Sequence, residues 1–173
     1  MLNQTMNHLP WRAAVITLSD QAAAGQRRDE SGPLICQRLR ETAYDIIETI
    51  LMPDDEKALK EELIRLCDQA QPDLILTTGG TGCAARDITP EATLAVADKI
   101  VPGIAEAMRS ASLKITPHAM LSRAVAVIRG RTLIINLPGS PKACMENMDV
   151  FMPAIPHAMG LLREEVHNCA ENE

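Results

Sequence analysis

Aromatic side chains are almost missing from this chain: its 173 residues include one Trp, one Tyr and one Phe. A stacking platform for single-stranded nucleic acid needs several such rings, so that class of function is disfavoured. A basic surplus is missing too. Seventeen Lys and Arg stand against twenty-three Asp and Glu, a net charge of −6, which leaves no electrostatic footprint for a nucleic-acid partner. No apolar run approaches the roughly 20 residues of a membrane span. Residues 1–10 do not follow the charged-then-apolar order of a secretory leader. The five cysteines are scattered, odd in number and form no Cys-x-x-Cys pair. They read as reduced thiols of a cytoplasmic protein, not as a disulfide framework or a zinc site. Repeats are absent as well.

What remains is ordinary globular composition, 46% hydrophobic and 23% charged, with small and aliphatic residues left to fill the core. The length suits one domain. We expect tails at 1–11 and 168–173 around a domain at 12–167. Unbroken apolar runs at 13–18 and 73–77 read as buried parallel strands, and 44–51 as another. Helices are expected from Ser31, capped by that serine, and from Asp54 to Ala70, capped by that aspartate. Between residues 21 and 30 the composition predicts a loop. Arg27 and Arg28 in it are either a solvated pair or a closure over an anion. Further helices are expected over 89–97, from Pro102 to about 113, from Pro141 behind a Ser140 cap to about 151, and over 155–166. Runs at 123–128 and 132–137 are joined by only Arg129-Gly130-Arg131, a link too short for a crossover, so they predict an antiparallel hairpin. Together these elements predict an α/β fold: a three-layer, mostly parallel sheet with helices on both faces and one antiparallel strand.

The chain is organised around Thr77-Thr78-Gly79-Gly80-Thr81-Gly82, followed by Arg86-Asp87 and Thr89-Pro90-Glu91. An apolar strand precedes this stretch and a helix start with Pro at its first position closes it. Glycines let a ligand approach the backbone, and successive N–H groups then form an anion nest. Neither the P-loop pattern nor the Gly-x-Gly-x-x-Gly fingerprint is present. A tight structural turn is the alternative for the glycines alone. In an open α/β sheet such a loop lies where ligands bind, beyond the strands' carboxyl ends. Ser19-Asp20, Pro53-Asp54 and Pro138-Gly139-Ser140-Pro141-Lys142 are expected at the same edge.

These four separated motifs, in this order, resemble the signature of the molybdopterin-binding family, over about residues 12–165. Its single-domain bacterial members are the Mog-type molybdopterin adenylyltransferases, and the G domain of gephyrin and the plant Cnx protein share the pattern. The resemblance implies molybdopterin and ATP as substrates, Mg²⁺ with the ATP, pyrophosphate as by-product, and a homotrimer. A downstream molybdenum-inserting protein would receive the product. A non-catalytic molybdopterin carrier of the same fold is the alternative.

On this reading Gly79, Gly80, Thr81 and Gly82 offer backbone donors to phosphate, Ser140 holds a second anionic group, and Lys142 adds a point charge. Carboxylates in an anion site serve a cation or a proton. Asp54 and Asp87 therefore fit a magnesium–nucleotide complex, shared with substrate phosphates, or donors on the pterin, and the resemblance implies that both are catalytic. The simpler alternatives are a helix cap for Asp54 and a surface pair with Arg86 for Asp87. Ser19, Asp20, Thr78, Thr89, Pro90, Glu91, Pro138 and Gly139 complete the expected ligand-contacting set. Asp20 alternatively just ends a strand, and Glu91 alternatively just complements a helix dipole. The segment Cys83-Ala84-Ala85 departs from the bulkier residues common in relatives. Without a positioned His beside it, Cys83 reads as an inert thiol.

Overall fold

The computed structural model describes residues 10–164. Six strands form one sheet: β1 (Trp11–Leu18), β2 (Tyr44–Met52), β3 (Leu74–Thr78), β4 (Lys99–Ile100), β5 (Ala126–Arg129) and β6 (Thr132–Leu137). Their spatial order is β2-β1-β3-β6-β5-β4. β1 pairs in parallel with β2 and β3, and β3 with β6. β5 alone runs against its neighbours β6 and β4. The expected mostly parallel sheet with one antiparallel strand is therefore what forms.

Both faces of β1 and β3 are buried, which is why these strands read as unbroken apolar runs. Side-chain alternation sends Ala13, Val15, Leu74 and Leu76 to one core cluster and Ala14, Ile16 and Ile75 to the other. The first face is covered by α2 (Ser31–Glu41), α5 (Pro102–Leu113), α6 (Pro141–Phe151) and α7 (Ile155–Leu162). The second is covered by α3 (Glu56–Arg65), its π-helical continuation Leu66–Ala70, and α4 (Thr89–Ala95). Leu59, Leu63, Leu66 and Cys67 form the expected inward stripe.

Several local expectations are corrected. The segment after β1 is not all loop, because α1 (Asp20–Ala23) forms behind a Ser19 cap whose hydroxyl accepts from Ala22 N–H at 3.2 Å. Ser31 does not cap α2. Asp29 accepts from the Gly32 N–H at 3.0 Å, and Ser31 is turned elsewhere. Asp54 does not cap α3, since its neighbour Asp55 accepts from Ala58 N–H. Ser140 is the N-cap residue of α6 but makes no side-chain capping bond. Two short elements were unforeseen: β4, and a 3-10 turn at Pro117–Leu121. A two-residue strand has no periodicity to read. The expectations for Val166 and for residues 168–173 lie outside the described residues.

One buried polar contact ties the sheet to the helix behind the glycine loop. Asn136 on β6 is fully buried. Its amide donates to Thr77 Oγ1 at 2.9 Å and to Thr93 Oγ1 at 3.0 Å, and its carbonyl accepts from Val125 N–H. Asn136→Leu keeps the branched shape but strands these partners in the core. We expect a loss of about 2–4 kcal/mol in urea unfolding. A midpoint equal to that of the parent chain would show that Asn136 carries no such role.

Candidate functional site

The sheet order reverses between β1 and β3. Strands β1, β3 and β6 deliver Ser19, Gly79 and Pro138 to one edge, the topological switch point of an open α/β sheet. There the glycine loop is pressed against the strand ends. Gly79 has φ +97°, and a Cβ on it would stand 2.2 Å from the Leu18 carbonyl oxygen. Gly80 has φ +63°, and its Cβ would meet Thr89 Oγ1 at 2.4 Å and Asp54 Oδ1 at 3.0 Å. No side chain fits either place, so these two glycines are required by geometry.

Every carbonyl of this loop is tied back. Thr89 Oγ1 donates to Gly79 O at 2.9 Å and Thr89 N–H to Gly80 O at 3.1 Å. Arg123 N–H donates to Thr81 O at 2.9 Å, and its guanidinium donates to the carbonyls of Gly82 and Asp87. The N–H groups of Gly80, Thr81 and Gly82 have no acceptor among the described residues. With carbonyls held inward and N–H groups free, the loop has the geometry of an anion nest.

Carboxylates face this nest. The Asp54 N–H donates to Asp20 Oδ1 at 3.0 Å and the Asp20 N–H to Asp54 Oδ2 at 3.2 Å, a reciprocal pair. Arg86 closes on Asp20 with both Nε and Nη2. The expected alternative, an Arg86–Asp87 pair, is replaced by this Arg86–Asp20 pair, which holds the Asp20 carboxyl below its ordinary range. Asp54 Oδ1 is left buried with no hydrogen-bond partner among the described residues. Burial pushes the Asp54 carboxyl above its ordinary value; the backbone bond from Asp20 and the charge of Arg86 oppose this, while the charges of Asp20 and Asp87 add to it. Asp87 Oδ2 accepts from Ala84 N–H at 2.8 Å and lies where a Gly82 Cβ would meet it at 2.8 Å.

The sign of the Asp54 effect gives a measurable consequence. A carboxyl raised in the folded state lends stability below its unfolded pKa, and that stability is lost as pH rises through the folded value. At neutral pH the ligand-free protein therefore bears an ionised Asp54 at a cost. Asp54→Asn retains an acceptor for Asp20 N–H and removes the charge. We expect a higher melting temperature for Asp54→Asn than for the parent chain at pH 7, with the gap closing as pH falls through the carboxylate range. A variant that melts lower at pH 7 would refute the assignment.

Two cavities open on either side of the loop. One, of about 470 Å³, runs between the loop, α5, α6 and the 3-10 turn, with Met108, Ile115 and Leu121 in its wall. The other, of about 500 Å³, is polar and is walled by the ends of β1 and β3, the 27–31 segment and Ser140. Gly80, Asp87 and Gly139 line both. Ser19, Asp54, Thr78 and Gly79 line the polar cavity, while Thr81, Gly82 and Pro138 line the other. Thr89 and Pro90 lie buried under the loop as its support. Asp20 is held by Arg86 at the rim, and Glu91 is held by Arg123. Lys142 is 78% exposed beside Glu146 and lines neither cavity. Arg27 and Arg28 line the polar cavity, which favours the anion-closing alternative for them. Cys83 is exposed, its thiol 3.5 Å from the Leu121 carbonyl.

Residues 14–157 match the family described as "Probable molybdopterin binding domain". The chain belongs to this molybdopterin-binding family. It is 45% identical over 150 residues to a molybdopterin adenylyltransferase of Helicobacter pylori, covering 86% of this chain and 85% of that protein. It is 43% identical over 164 residues to gephyrin of Dictyostelium discoideum, covering 90% of this chain but 23% of gephyrin. Among solved structures, the molybdopterin biosynthesis enzyme MoaB of Thermus thermophilus superposes with a TM-score of 0.84 at 44% identity, covering 89% of this chain and 97% of that one.

Within this molybdopterin-binding domain, sequence reading missed Arg123, Asp29 and Ser31 as parts of the site. Arg123 holds three loop carbonyls, yet in sequence it merely opens an apolar run. Asp29 accepts from Thr17 Oγ1 at 2.8 Å and so fixes the segment that carries Arg27 and Arg28. An Asp three residues ahead of a helical N–H is a legible cap signal, and it was outshone by Ser31.

Proposed function

We propose that this chain is a molybdopterin adenylyltransferase of molybdenum cofactor biosynthesis. Three residues shared by two cavities support this reading most directly. A carrier needs one cavity. A transfer between two polyanionic substrates needs two that meet, with anion-binding groups at the junction, and Gly80, Asp87 and Gly139 occupy that junction.

A phosphate oxygen of molybdopterin would attack the α-phosphorus of ATP. One P–O bond forms, the bond to the β-phosphate bridging oxygen breaks, and pyrophosphate leaves with the electron pair. Charge repulsion is the chief obstacle, so positioning and electrostatic stabilisation carry the catalysis. The free N–H groups of Gly80, Thr81 and Gly82 bind and orient phosphate oxygens. Arg27 and Arg28 screen charge from the opposite wall.

Among the described residues no group of three or more His, Cys, Asp or Glu is placed to hold a metal by itself. Magnesium usually takes only one or two carboxylates and completes its shell with phosphate oxygens and water. The unpartnered Asp54 Oδ1 fits that demand, with Asp87 as the second carboxylate. Bound there, Mg²⁺ would neutralise charge on the phosphates of ATP.

The test is mass spectrometry after incubation with molybdopterin, ATP and Mg²⁺. Adenylyl-molybdopterin, with pyrophosphate released only when both substrates are present, is the expected result. Molybdopterin bound without any product would establish the carrier instead. We further propose a homotrimer, with the exposed side chains of Ile100 and Met120 available for contact between copies. A monomer mass by light scattering at micromolar concentration would refute it. Transfer of the product to a molybdenum-inserting protein completes the proposal.

A further inference from the structure

The loop that faces the glycine nest has its own tie-back, built from residues distant in sequence. The Ser31 hydroxyl, 5% exposed on α2, donates to Gly139 O at 2.8 Å. The Thr78 hydroxyl at the end of β3, 1% exposed, donates to Pro138 O at 2.7 Å. The Cys144 thiol on α6, fully buried, donates to the same oxygen at 2.9 Å. Three elements on three sides therefore grip two successive carbonyls.

A trans peptide points its C=O and its N–H in opposite directions, and no cis peptide occurs among the described residues. Pulling Pro138 O and Gly139 O into the core turns the Gly139 and Ser140 N–H groups outward. Among the described residues neither N–H has an acceptor. Gly139 lines both cavities, and a Cβ on it would be 3.5 Å from Gly79 Cα. Gly139 thus sits against the glycine loop at the junction, and Ser140 lines the polar cavity beside it.

We propose that Ser31, Thr78 and Cys144 form a buried clamp that orients the Gly139 and Ser140 N–H groups onto the phosphate transferred or released at the junction. They are positioning residues and touch no ligand through the clamping groups. Thr78 lines the polar cavity, and its hydroxyl is engaged by the Pro138 carbonyl. The kinetic part of the proposal rests on the adenylyl-transfer reading above. The binding part needs only an anion at the junction.

The experiment titrates inorganic pyrophosphate into ¹⁵N-labelled full-length protein and follows the backbone amides. In the parent chain the Gly139 and Ser140 resonances should move with saturation. Ser31→Ala should weaken pyrophosphate by about fivefold to tenfold through lost pre-organisation, and Ser31→Thr should restore it. In the adenylation assay Ser31→Ala should lower kcat more than it raises KM for ATP. A role in folding alone would lower only the melting temperature, leaving affinity and kcat per folded molecule unchanged. Parent amides that do not move overturn the proposal, as does a folded Ser31→Ala chain with affinity within twofold of the parent. If Ser31→Ala does not fold, Thr78→Val and Cys144→Ser decide in the same titration. The first, lacking a donor, should weaken binding; the second, keeping one, should not; equal affinities overturn the clamp. Moving amides without adenylated product would remove the transfer reaction and leave the clamp standing.

Discussion

Asp87→Asn should cut adenylation by about a hundredfold or more, a loss typical of removing one charge from a preorganised phosphoryl-transfer site. Molybdopterin affinity should change far less. The two effects separate because the Asp87 charge matters most as the two polyanions approach, which is the signature of an interaction made mainly in the transition state. Asp87 lines both cavities, and the proposed transfer brings the substrates' phosphates together at that junction. Its partner Ala84 N–H can still be served by an asparagine carbonyl, so the loop should survive the change. Any stability loss should stay within about 0.5–1.5 kcal/mol, one hydrogen bond's worth. Because Arg86 is bound to Asp20 and not to Asp87, no surface ion pair is broken. Asp54→Asn should behave alike if the two share a cation, and the double variant should then be far from additive. Adenylated product per minute at saturating ATP, measured beside a binding isotherm, decides the matter. Asp87→Asn retaining more than about half the parent rate, under 0.5 kcal/mol of barrier, would sink the catalytic assignment.

Gly80→Val attacks the nest itself. From the glycine-loop motif alone the substitution reads as a block to phosphate approach with the fold intact, but the structure predicts a second effect. The new Cβ would press on Thr89 Oγ1 at 2.4 Å, the atom that holds Gly79 O. At φ +63° a branched side chain also carries about 1–2 kcal/mol of left-handed strain. We therefore expect lower stability together with lost ligand affinity, since displacing the loop removes donors worth about 1–3 kcal/mol each to a buried anion. Gly80→Ala separates the contributions, because it keeps the strain and the Thr89 contact but adds little bulk toward the ligand. A Gly80→Val chain that is folded and binds both molybdopterin and ATP within twofold of the parent would reduce the loop to a turn.

Much of this architecture is local chemistry and was legible in the sequence. Unbroken apolar runs mark β1 and β3 because both faces of those strands are buried. The short link between the two runs, which in the structure is only Gly130 and Arg131, forces the β5–β6 hairpin, since a crossover needs far more chain. Glycines between a buried strand and a proline-led helix mark the nest because only glycine tolerates its dihedrals and contacts. The four motifs fall at one edge because parallel strands share a direction.

What tertiary structure alone decided is pairing across long separations. Asp54 and Asp55 are equally good caps in sequence; the packing of Asp20 against Asp54 leaves Asp55 to cap α3. Arg86 finds Asp20, 66 residues away, and not its neighbour Asp87. Ser31 finds Gly139, 108 residues away, instead of its own helix. Arg123 meets a loop some forty residues earlier. Periodicity and capping follow from neighbours three or four positions apart, so a sequence displays them. A hydrogen bond between distant segments is fixed by where the sheet order brings their carbonyls and donors together, and no local pattern in the chain encodes that meeting.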